Sequence, residues 1–211
     1  ENTDLPLIEV AAKTGKPLII STGMASRDEI KAAIDTAQSA GCSDLVLLKC
    51  TSTYPAPAQD ANLRTIPDLR RWSGCEIGLS DHSLGIGVAV ASVGLGSTVI
   101  EKHITLDSAA TGPDHAASLE PDQFAEMVRA IRTTETSLGD GIKLPHPAEE
   151  DVKRIARRSV VARHPIPQGH VLTADDLAVK RPGEGVSPML WDTIIGSRAV
   201  RSFERDEAIE L

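Results

Sequence analysis

The sequence predicts an α/β fold built on a parallel sheet, followed by a small and mostly β module. Three observations point to it. Four short apolar runs alternate with helical patterns from the start of the chain to about Gly139, an order that favours parallel strands joined by crossover helices. Those runs are apolar at successive positions, so both faces of the sheet are expected to be covered. Beyond Gly139 the pattern gives way to Gly, Pro and charge, and then to brief β-like runs between turn residues.

Taken in order, Glu1 leads directly into a helix, and strands are expected at 17–21, 45–50, 76–80 and 97–103. Between the first two, Ser26 is placed to cap a helix and Glu29 completes a capping box. Ile30, Ala33, Ile34 and Ala37 form the stripe of that helix and Gly41 ends it. The segment 83–96 is rich in Gly, Ala and Val without a polar face, which reads as a buried helix or an ambiguous one. A further helix starts near Pro121, shows Phe124, Met127, Val128 and Ile131 at helical spacing, and ends at Gly139. The expected division is a first domain over 1–139, a linker over 140–152 and a second domain over 153–211. In the second, β runs at 159–162 and 171–172 are set off by Pro165, Pro167 and Gly169. Four βα units suit either an open four-stranded sheet or half of a (β/α)8 barrel, whose chemistry sits at the C-terminal strand ends. The abrupt beginning at Glu1 reads as that of a truncated chain.

The 211 residues, 41% of them hydrophobic, can build one large or two small cored domains. A net charge of −8 with both signs interleaved leaves no basic stripe for a nucleic-acid backbone or an anionic lipid surface. Aromatic residues are 2% of the chain, which argues against a base-stacking surface. Cys42, Cys50 and Cys75 are odd in number and match no zinc spacing, so they read as free core thiols in a reducing cytoplasm. There is no charged-then-apolar leader and no apolar run of about 18 residues. The expectation is a soluble cytoplasmic protein with neither nucleic acid nor membrane as partner.

Chemistry gathers at the strand ends: Ser-Thr-Gly at 21–23, Cys-Thr-Ser-Thr-Tyr at 50–54, Ser-Asp-His at 80–82 and Glu-Lys-His at 101–103. One such end is usually structural, but four on one rim describe a site. His82 and His103 end consecutive strands, which lie about 4.8 Å apart, so both imidazoles could reach one ion. Two His with open positions suit a divalent Lewis acid that also holds water and substrate, although two separately hydrogen-bonded histidines would leave the same pattern. Ser21, Ser52 and Ser80 could offer hydroxyls to a phosphate or carboxylate, individually a weak signal because serine is common in turns. Elsewhere the residues read as structural. His115 would position Asp114, His146, His164 and His170 would be solvated, and Trp72 and Trp191 would anchor packing.

Six segments in order resemble the bacterial N-acetylneuraminate (sialic acid) synthases: STGMAS at 21–26, KCTSTYPAP at 49–57, GLSDHSLG at 78–85, EKHITLD at 101–107, GPDHAASLEP at 112–121 and VKRPGEG at 179–185. The resemblance runs through essentially the whole chain. It implies the C-terminal half of a TIM barrel, strands five to eight, followed by a small SAF (antifreeze-like) domain. It also implies an enzyme that condenses phosphoenolpyruvate with N-acetylmannosamine, or a related N-acyl sugar, to a nine-carbon keto acid and phosphate.

Residue by residue, the resemblance implies a divalent metal on His82 and His103, manganese with magnesium as the alternative. It implies phosphoenolpyruvate contacts at Ser21, Ser52 and Ser80, with position 52 a departure because a family member has Asn there. It implies sugar contacts at Tyr54 and Asp114, a substrate-binding carboxylate at Glu1 and proton handling by Glu101. Arg181 would reach the sugar's N-acetyl group in the partner's site, within a homodimer that swaps its SAF domains. Two lysines that hold phosphoenolpyruvate in the family lie on strands one to four, so the 211 residues alone are expected to be inactive. Three alternatives stand beside this reading: a legionaminic-type product, an inactive fragment, and an ice-binding module, the last disfavoured by the charges of Lys180, Arg181 and Glu184.

Overall fold

In the computed structural model, which describes residues 1–211, a first unit spans Glu1–Gly141 and a second Ile142–Leu211. The first runs α1 (Leu5–Ala12), β1 (Leu18–Ser21), α2 (Arg27–Ser39), β2 (Leu45–Cys50), α3 (Thr65–Ser73), β3 (Glu76–Asp81), α4 (Gly87–Val93), β4 (Ile100–Lys102) and α5 (Pro121–Leu138). Its strands form one parallel sheet in the order β1-β2-β3-β4, a curled half-barrel.

Alternation along the strands sorts their residues onto two sides. Ile20, Leu45, Leu47 and Ile77 pack against Ile8 of α1, Ile30 and Ile34 of α2, and Ile66 and Leu69 of α3 in one core. The concave side carries the other set: Ser21, Leu48, Cys50, Gly78, Ser80 and Glu101. Gly78 is required there, because a β-carbon would come within 2.5 Å of Leu48 Cδ2 and of the Val99 carbonyl.

The helix starts follow local chemistry. At α2 the Glu29 carboxylate accepts from Ser26 N at 2.7 Å, Glu29 N donates back to Ser26 Oγ, and Ile30, Ala33, Ile34 and Ala37 are buried. The segment 83–96 resolves into the short α4 over its middle. The helix α3 was not anticipated, since its stripe is only Ile66 and Leu69 among charged neighbours, with Trp72 partly buried beside them. The fourth strand is shorter than the expected 97–103. Thr98 N and the Val99 carbonyl already bond β3, yet the regular ladder begins at Ile100, and beyond Lys102 the His103 carbonyl turns to accept from Leu119 N.

The second unit pairs β5 (Ser159–Ala162) with β6 (Leu177–Lys180) antiparallel over a core of Val160, Ile166, Leu172, Leu177 and Phe203. At 171–172 only an isolated Val171–Arg198 bridge forms. Helical structure enters the stretch expected to be irregular. His146 Nδ1 accepts from Ala148 N, a 3-10 turn covers Pro147–Glu149, and α6 (Glu150–Ala156) follows. Its acidic first turn and basic last turn match the helix dipole, a signal outweighed in the sequence by nearby Gly and Pro. His170 and His164 are not merely solvated: their Nε2 atoms lie 3.1 and 3.4 Å from the two oxygens of Asp176. The unit ends with the one-turn helix α7 (Trp191–Ile194). No helix is long and apolar enough to cross a membrane.

Candidate active site

Strand register builds the site in rows. Cys50 of β2 stands opposite Ser80 of β3, and Ser80 opposite Glu101 of β4. Period-two alternation then brings Ser52, His82 and His103 onto the same rim one step further along. The buried Ser80 hydroxyl donates to Glu101 Oε1 at 2.6 Å, which holds an otherwise exposed carboxylate in place and uses the only proton that Ser80 can donate.

His82 is oriented by the chain that follows β2. Its Nδ1 lies 3.0 Å from the Thr51 carbonyl oxygen, which can only accept, so in the neutral ring Nδ1 carries the proton and Nε2 keeps its lone pair. Ala56 N donates to the His82 carbonyl at 2.9 Å, clipping the loop after β2 onto the end of β3. That clip delivers Tyr54. Its ring centroid is 4.1 Å from that of His82 and 5.6 Å from that of His103, and the two imidazoles are 5.2 Å apart at 90°. Tyr54 is 51% exposed. Partial burial, then the neighbouring Cys50, Asp114 and Glu101, pushes its phenol upward, so it stays protonated and able to donate.

Asp114 comes from the loop after β4. It has a left-handed backbone, φ 67°, and stands at the start of the short turn His115–Ala117, where its side chain makes no capping bond. The loop is fastened at its base by Leu119 N to the His103 carbonyl and Thr105 N to the Leu119 carbonyl, and His115 Nδ1 lies 2.8 Å from Thr105 Oγ1. At the other edge, Glu1, Asn2, Ser21, Ser52 and Tyr54 share an open cavity of about 530 Å³ whose remaining wall is apolar. Gly23 makes this possible: a β-carbon there would sit 2.1 Å from Ser52 Oγ. His82, His103, Ser80, Glu101 and Asp114 do not line that cavity; Tyr54 joins the two groups. Arg181 belongs to the second unit, where its Nε donates to the Ala156 carbonyl at 2.9 Å.

Behind the rim lies a buried charged layer. Lys102 Nζ meets Asp81 Oδ2 at 2.8 Å with side chains 0% and 2% exposed, and Lys102 also donates to the Ser83 carbonyl. Lys49 is 8% exposed and donates to Thr51 Oγ1 at 2.5 Å, and burial lowers its pKa.

The two imidazoles suit a metal. With a metal–nitrogen bond of about 2.1 Å, two imidazoles sharing an ion at angles of about 90–110° have centroids roughly 4.6–5.4 Å apart, which includes the observed 5.2 Å. A ring nitrogen fixed by a backbone carbonyl is the usual companion of a ligating imidazole. No three His, Cys, Asp or Glu side chains are arranged around one ion position, so an ion here would be held by two nitrogens of these residues.

Sequence reasoning missed Asn2, whose Nδ2 donates to the Gly23 carbonyl at 2.9 Å and, more weakly, to that of Ser21 at 3.3 Å. Gly23 and Thr51 stand in the strand-end runs named above but were given no role there, and Lys49 was given none either. A lysine inside the apolar run LVLLKC was the one visible signal among them.

Residues 1–143 match the model of the NeuB family and residues 157–210 that of the SAF domain. An uncharacterised protein of Methanocaldococcus jannaschii is 46% identical over 98% of this chain and 61% of its own length. The N,N'-diacetyllegionaminic acid synthase of Campylobacter jejuni is 39% identical over 99% of this chain and 63% of its own. The crystal structure of the N-acetylneuraminic acid synthetase from Leptospira borgpetersenii, in complex with citrate, superposes with a TM-score of 0.66 at 35% identity, covering 72% of this chain and 53% of that one. The chain thus spans about 60% of the length of the curated relatives it matches.

Proposed function

Because the chain belongs to the NeuB family and carries an SAF domain, we propose that its strand-end residues serve a condensation of phosphoenolpyruvate and water with an N-acylated amino sugar, giving a nine-carbon 2-keto acid and phosphate: C3 of the enol bonds the aldehyde carbon, water supplies the oxygen at C2, and the C2–O bond to phosphate breaks. The observation that carries this reading is the convergence of Tyr54, His82 and His103 beside the Ser80–Glu101 pair. It lies at the strand ends where barrels keep their chemistry.

His82 and His103 would hold a divalent ion, manganese or magnesium, which when bound supplies Lewis-acid polarisation of a carbonyl oxygen. The chain's own residues bind and orient. Ser21 and Ser52 donate their hydroxyls to the carboxylate and phosphate of phosphoenolpyruvate, and Ser80 joins them when its hydroxyl turns away from Glu101 Oε1. Tyr54, as a protonated phenol, donates to a sugar oxygen, and Asp114 and Glu1 accept from sugar hydroxyls. Glu101 takes and returns a proton. Held together, these contacts set the sugar's aldehyde carbon against C3 of the enol, and the gain is one of orientation. Arg181 reaches the acyl group of a sugar bound in the partner's site, within a homodimer. Its two terminal nitrogens suit an amide carbonyl.

We take N-acetylmannosamine as the acceptor. A diacetamido sugar is the alternative that the legionaminic relative supports. The test is incubation of the full-length protein with phosphoenolpyruvate, manganese and each sugar in turn. A nine-carbon keto acid identified by mass, with stoichiometric phosphate, supports the reading, and its absence with every N-acyl amino sugar contradicts it.

A further inference from the structure

Lys49 occupies a place where charge is costly. β2 is covered on both sides, the side chain is 8% exposed, and alternation puts it on the helix-covered side of the sheet, away from Cys50. Asp81, a carboxylate whose charge acts on Lys49, is already paired with Lys102. The ammonium donates instead to a neutral hydroxyl, Thr51 Oγ1, at 2.5 Å. Thr51 is fixed a second time, since its hydroxyl donates to the Asp60 carbonyl at 3.0 Å. The same residue's carbonyl is the acceptor for His82 Nδ1 at 3.0 Å. One short path therefore joins a buried amine behind the sheet to the ring on its rim.

We propose that Lys49 is a positioning residue: by fixing Thr51 it keeps the Thr51 carbonyl aimed at His82, and so holds the imidazole with its proton on Nδ1 and Nε2 presented to the site. The fold does not need a cation at this position. A methionine fills a similar volume without the desolvation cost, and replacement of buried charge by apolar groups is often neutral or stabilising. Stability and ring orientation should thus respond to its loss in different directions. That separation distinguishes a positioning role from a purely structural one.

The inference rests in part on the proposed metal-binding role of His82, and the test keeps the two apart. In the full-length protein at about pH 8.5, where an ordinary imidazole is neutral, long-range proton–nitrogen spectra of the His82 ring should show the Nδ1-protonated tautomer. In Lys49→Met the spectrum should move to a mixture of tautomers. Affinity for cobalt(II), titrated alone as the probe ion, should fall about tenfold, the lower end for a residue behind a ligand. The urea midpoint should be unchanged or higher. Thr51→Val removes the hydroxyl that receives Lys49 while keeping the carbonyl; it should act like Lys49→Met, and the double variant should be no worse than either single one. A folded Lys49→Met with tautomer and cobalt affinity both unchanged overturns the proposal, as does full additivity of the two substitutions. If Lys49→Met does not fold, Thr51→Val decides alone: a mixed tautomer supports the proposal and an unchanged one overturns it. If His82 binds no metal, the wild type takes up no cobalt, yet the tautomer still shifts on loss of Lys49.

Discussion

A β-carbon on Gly23 would lie 2.1 Å from the Ser52 hydroxyl oxygen, so the turn after β1 and the end of β2 approach as closely as they do only because residue 23 has no side chain. Gly23 does not lie in the left-handed backbone region, so its replacement displaces Ser52 without straining the backbone. Gly23→Ala in the full-length protein should raise KM for phosphoenolpyruvate about five- to tenfold while stability changes by about 1 kcal/mol or less. Steady-state kinetics and a urea titration check both halves.

The Asp81–Lys102 pair should behave as a buried ion pair. Either Asp81→Leu or Lys102→Met alone leaves the other charge uncompensated and should cost about 3–5 kcal/mol, whereas the double replacement should recover most of that loss. Urea midpoints of the three variants give the answer. A double variant as unstable as the worse single one would show that the pair contributes more than charge balance.

Asp176 gives a pH prediction. Hydrogen bonds from Thr173, aided by His170, bring its carboxyl from 3.8 down to about 2 against the opposing effect of burial. A lowered folded-state pKa contributes stability that is complete above the unfolded value and is lost as pH falls through the folded one. The second unit should therefore lose about 1–2 kcal/mol between about pH 4 and pH 2, after allowance for solvent screening near the surface. Asp176→Asn should flatten that slope. Chemical denaturation across this range, in wild type and variant, measures it.

Much of this molecule was legible in its sequence, for identifiable reasons. β2 was placed at its full extent because LVLLKC is apolar on both faces and bounded by breakers, and α2 because cap, box and stripe agree over one segment. Local chemistry also pointed to His82 and His103 as neighbours, since consecutive parallel strands put their ends side by side. What escaped was tertiary. Asn2 reaches the Gly23 carbonyl across 21 positions, and the Thr51 carbonyl reaches His82 across 31; neither leaves a trace in spacing or composition. The helix α6 escaped because one turn of charge pattern was weighed against Gly and Pro nearby.

The proposal that Arg181 acts in the partner's site predicts complementation between two inactive variants. Arg181→Ala and His82→Ala full-length proteins should each be inactive, and re-formed mixed dimers should regain activity, because one site then holds an intact His82 with the partner's intact arginine. No recovery, with mixed dimers confirmed by mass, would reject the trans role. The 211 residues alone, with four strands and two unpaired sheet edges, should make no keto acid.

If His82 and His103 share one divalent ion, the melting temperature of the full-length protein responds to manganese through these two side chains. A ligand bound only by the folded state stabilises it by mass action, so manganese should raise the wild-type midpoint, and His82→Ala and His103→Ala should each abolish the rise. A manganese-induced shift that persists unchanged in both single variants would show that these two histidines do not share an ion.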